Sequence, residues 1–171
     1  MPPRQLFSDL FINISNSPFT LGKTQRRHRL FGKSIGQLNV PALYVNCTGI
    51  QNNGKNVYTF DGASGAYTKD GSLHYESPLF KEELAVLDFD ETTHAFVSPQ
   101  KQNPPDEEVA DIYHSLHYGI QSFMENAGLS KVVLGVSGGI DSAVNAALYA
   151  SISPPKKIFS LSICPVSTTR L

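Results

Sequence analysis

Residues 131–150, KVVLGVSGGIDSAVNAALYA, decide the fold of this chain. The apolar run Val132–Val136 predicts a strand buried on both faces, as in the interior of a parallel sheet. A tight polar turn follows over residues 137–142, and the Ala-rich segment after it predicts a helix from about Asp141 to Ser151. A second strand is predicted over residues 158–164, which gives a strand–helix–strand (βαβ) unit. The sequence therefore predicts an α/β fold.

The polar turn has the chemistry of a phosphate site. Gly138 and Gly139 carry no Cβ, so the backbone can approach a ligand closely. Free amides at the start of the following helix attract an anion, and the hydroxyls of Ser137 and Ser142 add donors. Asp141 alone would repel a phosphate, but it can hold a Mg²⁺ ion that bridges it to the phosphates.

Two common nucleotide-binding motifs do not fit the turn. The kinase and GTPase loop, G-x-x-x-x-G-K-[ST], needs a lysine, and no lysine lies between Lys131 and Lys156. The G-x-G-x-x-G dinucleotide pattern is absent as well. A plain strand-to-helix turn with an Asp or Ser cap stays open as the alternative, but the strand before the turn and the helix after it favour a phosphate site.

Composition narrows the classes of protein. The chain has 171 residues, 40% of them hydrophobic, which is typical of a globular protein. A net charge of −1 gives no electrostatic reason to expect nucleic acid or a membrane as partner. Cys47 and Cys164 form no disulfide framework or metal motif, and no run approaches the roughly 20 apolar residues of a membrane span. A cytoplasmic protein is expected.

The first half of the chain predicts mixed elements. Helix is predicted over residues 23–37, with the basic residues 23–29 as a solvated face, and residues 47–56 are predicted to be loop. Residues 91–105 contain three prolines and little periodicity, which predicts a linker. A helix with an apolar stripe then runs from Asp106 to Gly128. Strands are predicted within residues 6–15 and over 42–46, 57–60, 65–68, 73–76 and 85–89.

Several motifs resemble known families. SGGIDS at 137–142 resembles the pyrophosphate loop of the N-type ATP pyrophosphatases, which cleave ATP to AMP and pyrophosphate while forming an adenylate. FINISNSPFTLGK at 11–23, Arg26/Arg27, YVN at 44–46 and FDGAS at 60–64 look like the C-terminal part of a nitrilase-type amidohydrolase domain. The two occur in this order in the glutamine-dependent NAD synthetase family, which the chain resembles from about residue 5 to residue 171.

The resemblance implies a fold and a domain organisation. Residues 1–90 would be the C-terminal part of a nitrilase-like α-β-β-α glutaminase domain, and residues 91–105 a linker. Residues 106–171 would start a parallel-sheet ATP pyrophosphatase domain, like the adenine nucleotide α hydrolases, with its first βαβ unit. The implied reaction is ATP-dependent amidation of nicotinic acid adenine dinucleotide to NAD with glutamine-derived ammonia, through an adenylate.

The resemblance also assigns residues and ligands. Asp141 would bind Mg²⁺, and Ser17 and Lys23 would contact glutamine. The implied ligands are ATP, Mg²⁺, glutamine and nicotinic acid adenine dinucleotide, and a homo-oligomer is expected. The ATP loop would consist of Gly135, Val136, Ser137, Gly138, Gly139, Ile140, Asp141 and Ser142.

The sequence also departs from the family. A nitrilase-type glutaminase uses a Glu–Lys–Cys triad, and no residue here matches it, so no catalytic residue is assigned. Cys47 is interpreted as structural and Cys164 as a core residue of the last strand. The chain is expected to be an inner piece of its parent and inactive alone. Two alternatives stay open, which are another N-type ATP pyrophosphatase amidotransferase and a non-catalytic remnant acting as an interaction module.

Overall fold

The structure is a computed structural model that describes residues 8–104 and 107–152, and the backbone of residues 159–163. The chain divides into two compact units, Met1–Ser115 and Leu116–Leu171, and each is described by itself. None of the helices in the described part of the chain has the length and apolar character that a membrane crossing requires.

Within the described residues the first unit contains one complete helix, eight strands and the start of a second helix. The complete elements are β1 (Phe11–Ser15), α1 (Lys23–Leu38), β2 (Ala42–Asn46), β3 (Thr48–Asn52), β4 (Val57–Asp61), β5 (Gly65–Tyr67), β6 (Leu73–Glu76), β7 (Phe89–Asp90) and β8 (Ala95–Phe96). The main sheet has the order β1-β2-β5-β6. β1 and β2 are parallel and joined through α1, whereas β5 and β6 add antiparallel strands.

Helix α1 covers one face of this sheet. Its residues Phe31 and Ile35 pack on Tyr44 and Tyr67, and the Phe31 ring meets the Tyr44 ring edge-on at 5.0 Å between centroids. The helix also lies close to the β5–β6 turn, since a Cβ built on Gly32 would lie 2.6 Å from the carbonyl oxygen of Gly71. A glycine is therefore required on this face of the helix. The opposite face of the sheet buries a second cluster of Ala66, Tyr75 and Phe96.

Three predictions for the first unit were wrong. Residues 47–56 are not all loop, because β3 pairs antiparallel with β4 from Thr48 opposite Asp61 to Asn52 opposite Val57. The glycine and asparagine content of this stretch concealed a hairpin. The predicted strand over 85–89 reduces to Phe89–Asp90, since Leu84 and Val86 face solvent at 94% and 84% exposure.

The basic cluster 23–29 was the third error. It is solvated only in part, because Arg26 and Arg29 are exposed but Thr24 and Arg27 are both buried at 5% exposure. Arg27 points into the first unit and pairs with a carboxylate there, which a helical charge pattern alone does not reveal.

The segment predicted to be a linker packs onto the first unit as far as the structure describes it. Phe96 of β8 belongs to the second core cluster, and the amide of Glu76 donates to the carbonyl of Lys101 at 2.7 Å. The domain boundaries predicted from the sequence stay a prediction. The predicted helix start at Asp106 lies outside the described residues, and α2 covers Glu108–Asn126.

The predicted strand–helix–strand unit is confirmed in the second unit. Its first strand is not buried on both faces as predicted, because the described sheet has only two strands and Val133 is 74% exposed. β9 (Val132–Val136) is followed by α3 (Ile140–Ile152) and β10 (Phe159–Ile163). β9 and β10 are parallel, with Gly135 opposite Ser162. The predicted helix end at Gly128 is also confirmed, because this residue takes a φ of +65° just after α2. Cys164 lies outside the described residues.

Candidate nucleotide and glutamine sites

The glycine loop lies where β9 ends and α3 begins. Gly138 has a φ of +86°, a conformation that favours glycine, and it lets the chain turn within three residues. A Cβ built at Gly135 or Gly138 would meet no atom within 4 Å, so both backbones are open to a ligand. The eight residues assigned to the ATP loop, 135–142, are therefore contiguous along one strand end, turn and helix start.

Hydrogen bonds within the loop fix its shape. The amide of Ser137 donates to Ser142 Oγ at 3.3 Å, and that hydroxyl donates to the carbonyl of Gly139 at 2.9 Å. The hydroxyl oxygens of Ser137 and Ser142 lie 3.4 Å apart. The first amides of α3, those of Ile140 and Asp141, have no acceptor in the preceding turn of a helix. An anion seated on the loop would receive these donors.

The residues present fit a magnesium–nucleotide complex. Asp141 is exposed in the first turn of α3. Among the described residues, no group of three or more His, Cys, Asp or Glu could hold a metal ion alone. Mg²⁺ usually takes one or two carboxylates and completes its octahedron with water and substrate phosphates, which suits one aspartate beside a phosphate loop.

Ser17 and Lys23 both lie at the turn between β1 and α1. Ser17 is held through its backbone, because its amide donates to Asn46 Oδ1 at 2.8 Å and its carbonyl accepts from Asn46 Nδ2 at 3.2 Å. Lys23 is the first residue of α1, and its Nζ donates to the carbonyl of Pro18. The structure thus brings both predicted glutamine contacts to one short turn.

The environment of Lys23 lowers the pKa of its ammonium group. Burial lowers the pKa of the ammonium, and the nearby Arg27 lowers it further, while Asp61 acts in the opposite direction. The side chain is only partly buried, and a lysine ammonium at this position can pair with an anionic ligand group.

A buried polar network lies behind the turn, and no role for it was predicted from the sequence. Arg27 Nη2 donates to Asp61 Oδ2 at 2.9 Å, and Asp61 Oδ1 accepts from Asn46 Nδ2 at 3.2 Å. Asp61 is fully buried and Asn46 is 7% exposed. All three residues occur in the motifs that carry the family resemblance. The sequence therefore contained them as part of a motif, but it did not indicate that they form a hydrogen-bonded network.

Cys47 does not have the environment of a nucleophile. Burial raises the pKa of its thiol most, and Asp61 raises it further, although a backbone hydrogen bond lowers it. The thiol donates to Asn16 Oδ1 and faces a cleft of about 330 Å³ that Lys81 and Glu82 also line. A protonated thiol is a poor nucleophile, which agrees with the interpretation of Cys47 as structural.

His28 has a structural role in the first unit. Its Nδ1 lies 2.8 Å from the Tyr67 hydroxyl and its Nε2 lies 2.8 Å from Glu76 Oε1. Both partners are buried strand residues, so the imidazole joins α1 to the sheet. Burial raises the pKa of the Tyr67 phenol most, and the Glu76 carboxylate raises it further, which keeps the hydroxyl protonated.

Comparison with known proteins defines the class of this chain. The family described as NAD synthase matches residues 112–170, which contain β9, the glycine loop and α3. The curated glutamine-dependent NAD(+) synthetase of Synechocystis sp. is 35% identical over 140 residues, which are 82% of this chain and 24% of that protein. The enzyme of the same name from Acinetobacter baylyi is 34% identical over 85% of this chain and 26% of its own length.

Solved structures agree with these relatives. The glutamine-dependent NAD+ synthetase of Acinetobacter baumannii, solved in complex with ADP, superposes with a TM-score of 0.83 at 30% identity. The match covers 92% of this chain and 29% of that one. The Cytophaga hutchinsonii enzyme, at 20% identity and a TM-score of 0.64, shows the same mixed α/β fold. The chain belongs to the glutamine-dependent NAD(+) synthetase family, and it spans about a quarter of the length of the curated relatives it matches.

Proposed function

We propose that this sequence belongs to an enzyme that converts nicotinic acid adenine dinucleotide to NAD. In this reaction ATP adenylates the carboxylate of the dinucleotide, pyrophosphate departs, and ammonia from glutamine displaces AMP. The observation that carries the proposal is the loop 137–142. It has phosphate-site geometry and lies inside the region that matches the NAD synthase family.

Residues 135–142 would bind the phosphates of ATP in this proposal. Gly135 and Gly138 leave room for the phosphate chain, and the first amides of α3 would donate to its oxygens. Asp141 would hold Mg²⁺, which when bound neutralises charge on the phosphate oxygens. The hydroxyls of Ser137 and Ser142 already fix the loop, so little rearrangement is needed when the nucleotide binds.

The first unit would belong to the glutamine-hydrolysing half of the enzyme. Its α1-covered sheet is consistent with the C-terminal part of a nitrilase-like α-β-β-α domain, and the second unit with the first βαβ unit of an ATP pyrophosphatase domain. Ser17 and Lys23 would contact the polar groups of glutamine. A lysine ammonium suits the carboxylate of the amino acid, and a serine hydroxyl suits a carbonyl or an ammonium.

Nucleotide binding by the chain tests this proposal. Isothermal titration with ATP should show saturable binding in Mg²⁺. Asp141→Asn should weaken it about tenfold in Mg²⁺, because a charged ligand to the bridging cation is lost. In EDTA the same variant should bind ATP as well as the wild type or better, since a repulsive carboxylate has been removed.

The matched control is Glu125→Gln, which removes one exposed negative charge from α2 in the same unit. It should leave ATP binding unchanged under both conditions. Failure of the wild-type chain to bind ATP, or equal effects of the two variants, would contradict the assignment of the loop.

The reaction itself is tested with a chimera. The matching part of this sequence, 85% of the chain, would replace the corresponding segment of the Acinetobacter baylyi enzyme. Glutamine-dependent formation of NAD, AMP and pyrophosphate in equal amounts is the expected result. A folded chimera that uses ammonia but not glutamine would locate the failure in the first unit, and one that uses neither would count against the second.

A further inference from the structure

The ion pair between Arg27 and Asp61 is almost completely buried, and stability alone does not explain a buried ion pair at this position. Their side chains are 4% and 0% exposed, and the Arg27 guanidinium also lies 4.9 Å from the Tyr44 ring centroid. Replacing such a pair by apolar residues of similar volume is often neutral or stabilising, because removing two charges from water is costly. A role in positioning neighbouring groups explains the pair better than a role in stability.

Asn46 connects this pair to the β1–α1 turn. Its Nδ2 donates to Asp61 Oδ1, to the carbonyl of Gly62 at 3.0 Å and to the carbonyl of Ser17. Its Oδ1 accepts the amide of Ser17 at 2.8 Å. All three acceptors lie within hydrogen-bond distance of the amide nitrogen, and the Asp61 carboxylate is the only charged one. The nitrogen carries two hydrogens, so one of them is shared between two acceptors. The flipped amide would place Oδ1 against these three oxygens, so Asn46 keeps the orientation that also holds both backbone groups of Ser17.

The face of α1 that carries Arg27 also contacts the other end of the β1–α1 turn. Lys23 and Arg27 are four residues apart on α1 and therefore lie on one side of the helix. Lys23 donates to the carbonyl of Pro18, and the amide of Phe19 donates to the carbonyl of Thr59 at 2.7 Å on β4. The turn is thus hydrogen-bonded to α1, β2 and β4.

We infer that Asn46, Asp61 and Arg27 are positioning residues, which hold Ser17 and Lys23 in the geometry needed to contact glutamine. The inference rests on the proposed function, because it takes glutamine as the ligand of the turn. None of the three residues is assigned contact with the ligand. Their effect is to remove the conformational freedom of the turn before glutamine binds, which raises affinity without adding a contact.

Amide NMR on the full chain tests the inference. L-glutamine is titrated into the wild type and Asn46→Ala, and the shifts of Ser17 and Lys23 are followed. Saturable shifts are expected in the wild type, with affinity at least about fivefold weaker in Asn46→Ala, the size expected for losing one pre-ordered contact. Exchange of the Ser17 amide should accelerate about tenfold, because its acceptor is gone.

Two further variants separate positioning from stability. Tyr67→Phe removes a buried hydrogen bond to His28 that takes no part in the network, so it should lower the melting temperature without changing glutamine affinity. Should Asn46→Ala not fold, Asn46→Ser keeps a polar hydroxyl at this position but is too short to bond both groups of Ser17, and it should show the same loss of affinity.

Three results would overturn the inference. They are unchanged glutamine affinity in the Asn46 variants, equal weakening by Tyr67→Phe, and the absence of glutamine-dependent shifts at Ser17 and Lys23 in the wild type. Binding of ATP in Mg²⁺ is measured on the same samples. If it persists while glutamine binding is absent, the positioning inference fails and the proposed NAD synthetase function stands; the reverse outcome rejects the proposed function alone.

Discussion

Asp61→Asn should destabilise the first unit strongly. The substitution keeps an oxygen that can accept from Asn46, but it leaves the Arg27 guanidinium buried without its anion. Removing one partner of a buried ion pair costs about 3–5 kcal/mol. Arg27 retains the carbonyl of Ala63 at 3.4 Å and the Tyr44 ring, so a loss of about 3 kcal/mol, the lower end of that range, is expected.

The measurement is urea denaturation followed through amide signals of the first unit. Ala66 is a suitable reporter because it is fully buried in the second core cluster. A double variant, Arg27→Met with Asp61→Leu, serves as the control and should unfold within about 1 kcal/mol of the wild type, because both charges leave together. Asn46 Nδ2 keeps the carbonyls of Ser17 and Gly62 as acceptors in that variant.

Two outcomes would refute this reasoning. A loss below about 1 kcal/mol in Asp61→Asn would mean that the pair behaves like an exposed surface pair. A double variant as unstable as the single variant would mean that packing at these positions, and not charge, sets the stability.

Three other predictions concern the close approach, the loop and the exposed ion pair. Gly32→Ala should lower the melting temperature of the first unit, since its Cβ would lie 2.6 Å from the Gly71 carbonyl oxygen, whereas Lys33→Ala, at an exposed position of the same helix, should not. Gly138→Ala should weaken ATP binding measured by titration, because an alanine at a φ of +86° is strained by about 1–2 kcal/mol. Hydrogen bonds from Lys101 and then Tyr75 lower the pKa of Glu83, so its stabilising effect is present above the ordinary glutamate pKa and is lost as the pH falls through the lowered one. Carboxyl NMR should follow this titration, and Glu83→Gln should flatten the acid limb of the stability profile; an unchanged limb would contradict it.

The second unit was predictable from sequence because its signals are local. Val132–Val136 is apolar on both faces and the turn after it contains two glycines, so strand, loop and helix follow from adjacent residues. The predicted helix bounds differ from Ile140–Ile152 by a single residue at each end, which is within the usual fraying of helix ends.

The first unit was harder because its decisive interactions are tertiary. The β3–β4 hairpin was missed since Gly49, Asn52 and Asn53 are typical of loops, and only pairing with β4 makes the segment a strand. Arg27 was expected to face solvent, because a basic stretch on a helix does so unless a distant partner buries it. That partner, Asp61, lies 34 residues away at the end of another strand.

The two candidate sites differ in the same way, and this difference explains which residues were named. The phosphate loop uses consecutive residues, so its chemistry can be inferred from one stretch of sequence. At the β1–α1 turn, where glutamine is proposed to bind, Ser17 lies beside Asn46 from the end of β2 and Asp61 from the end of β4. The bonded pairs are 29 and 15 residues apart in the sequence. The family resemblance assigned a role to Ser17 and Lys23 alone, although Asn46, Asp61 and Arg27 also lie in the motifs that carry it. The residues proposed to position Ser17 and Lys23 can be recognised only in the fold, where the ends of two strands and the start of a helix lie together. Buried polar groups at such a junction must form hydrogen bonds with one another, because an unpaired buried polar group destabilises the fold.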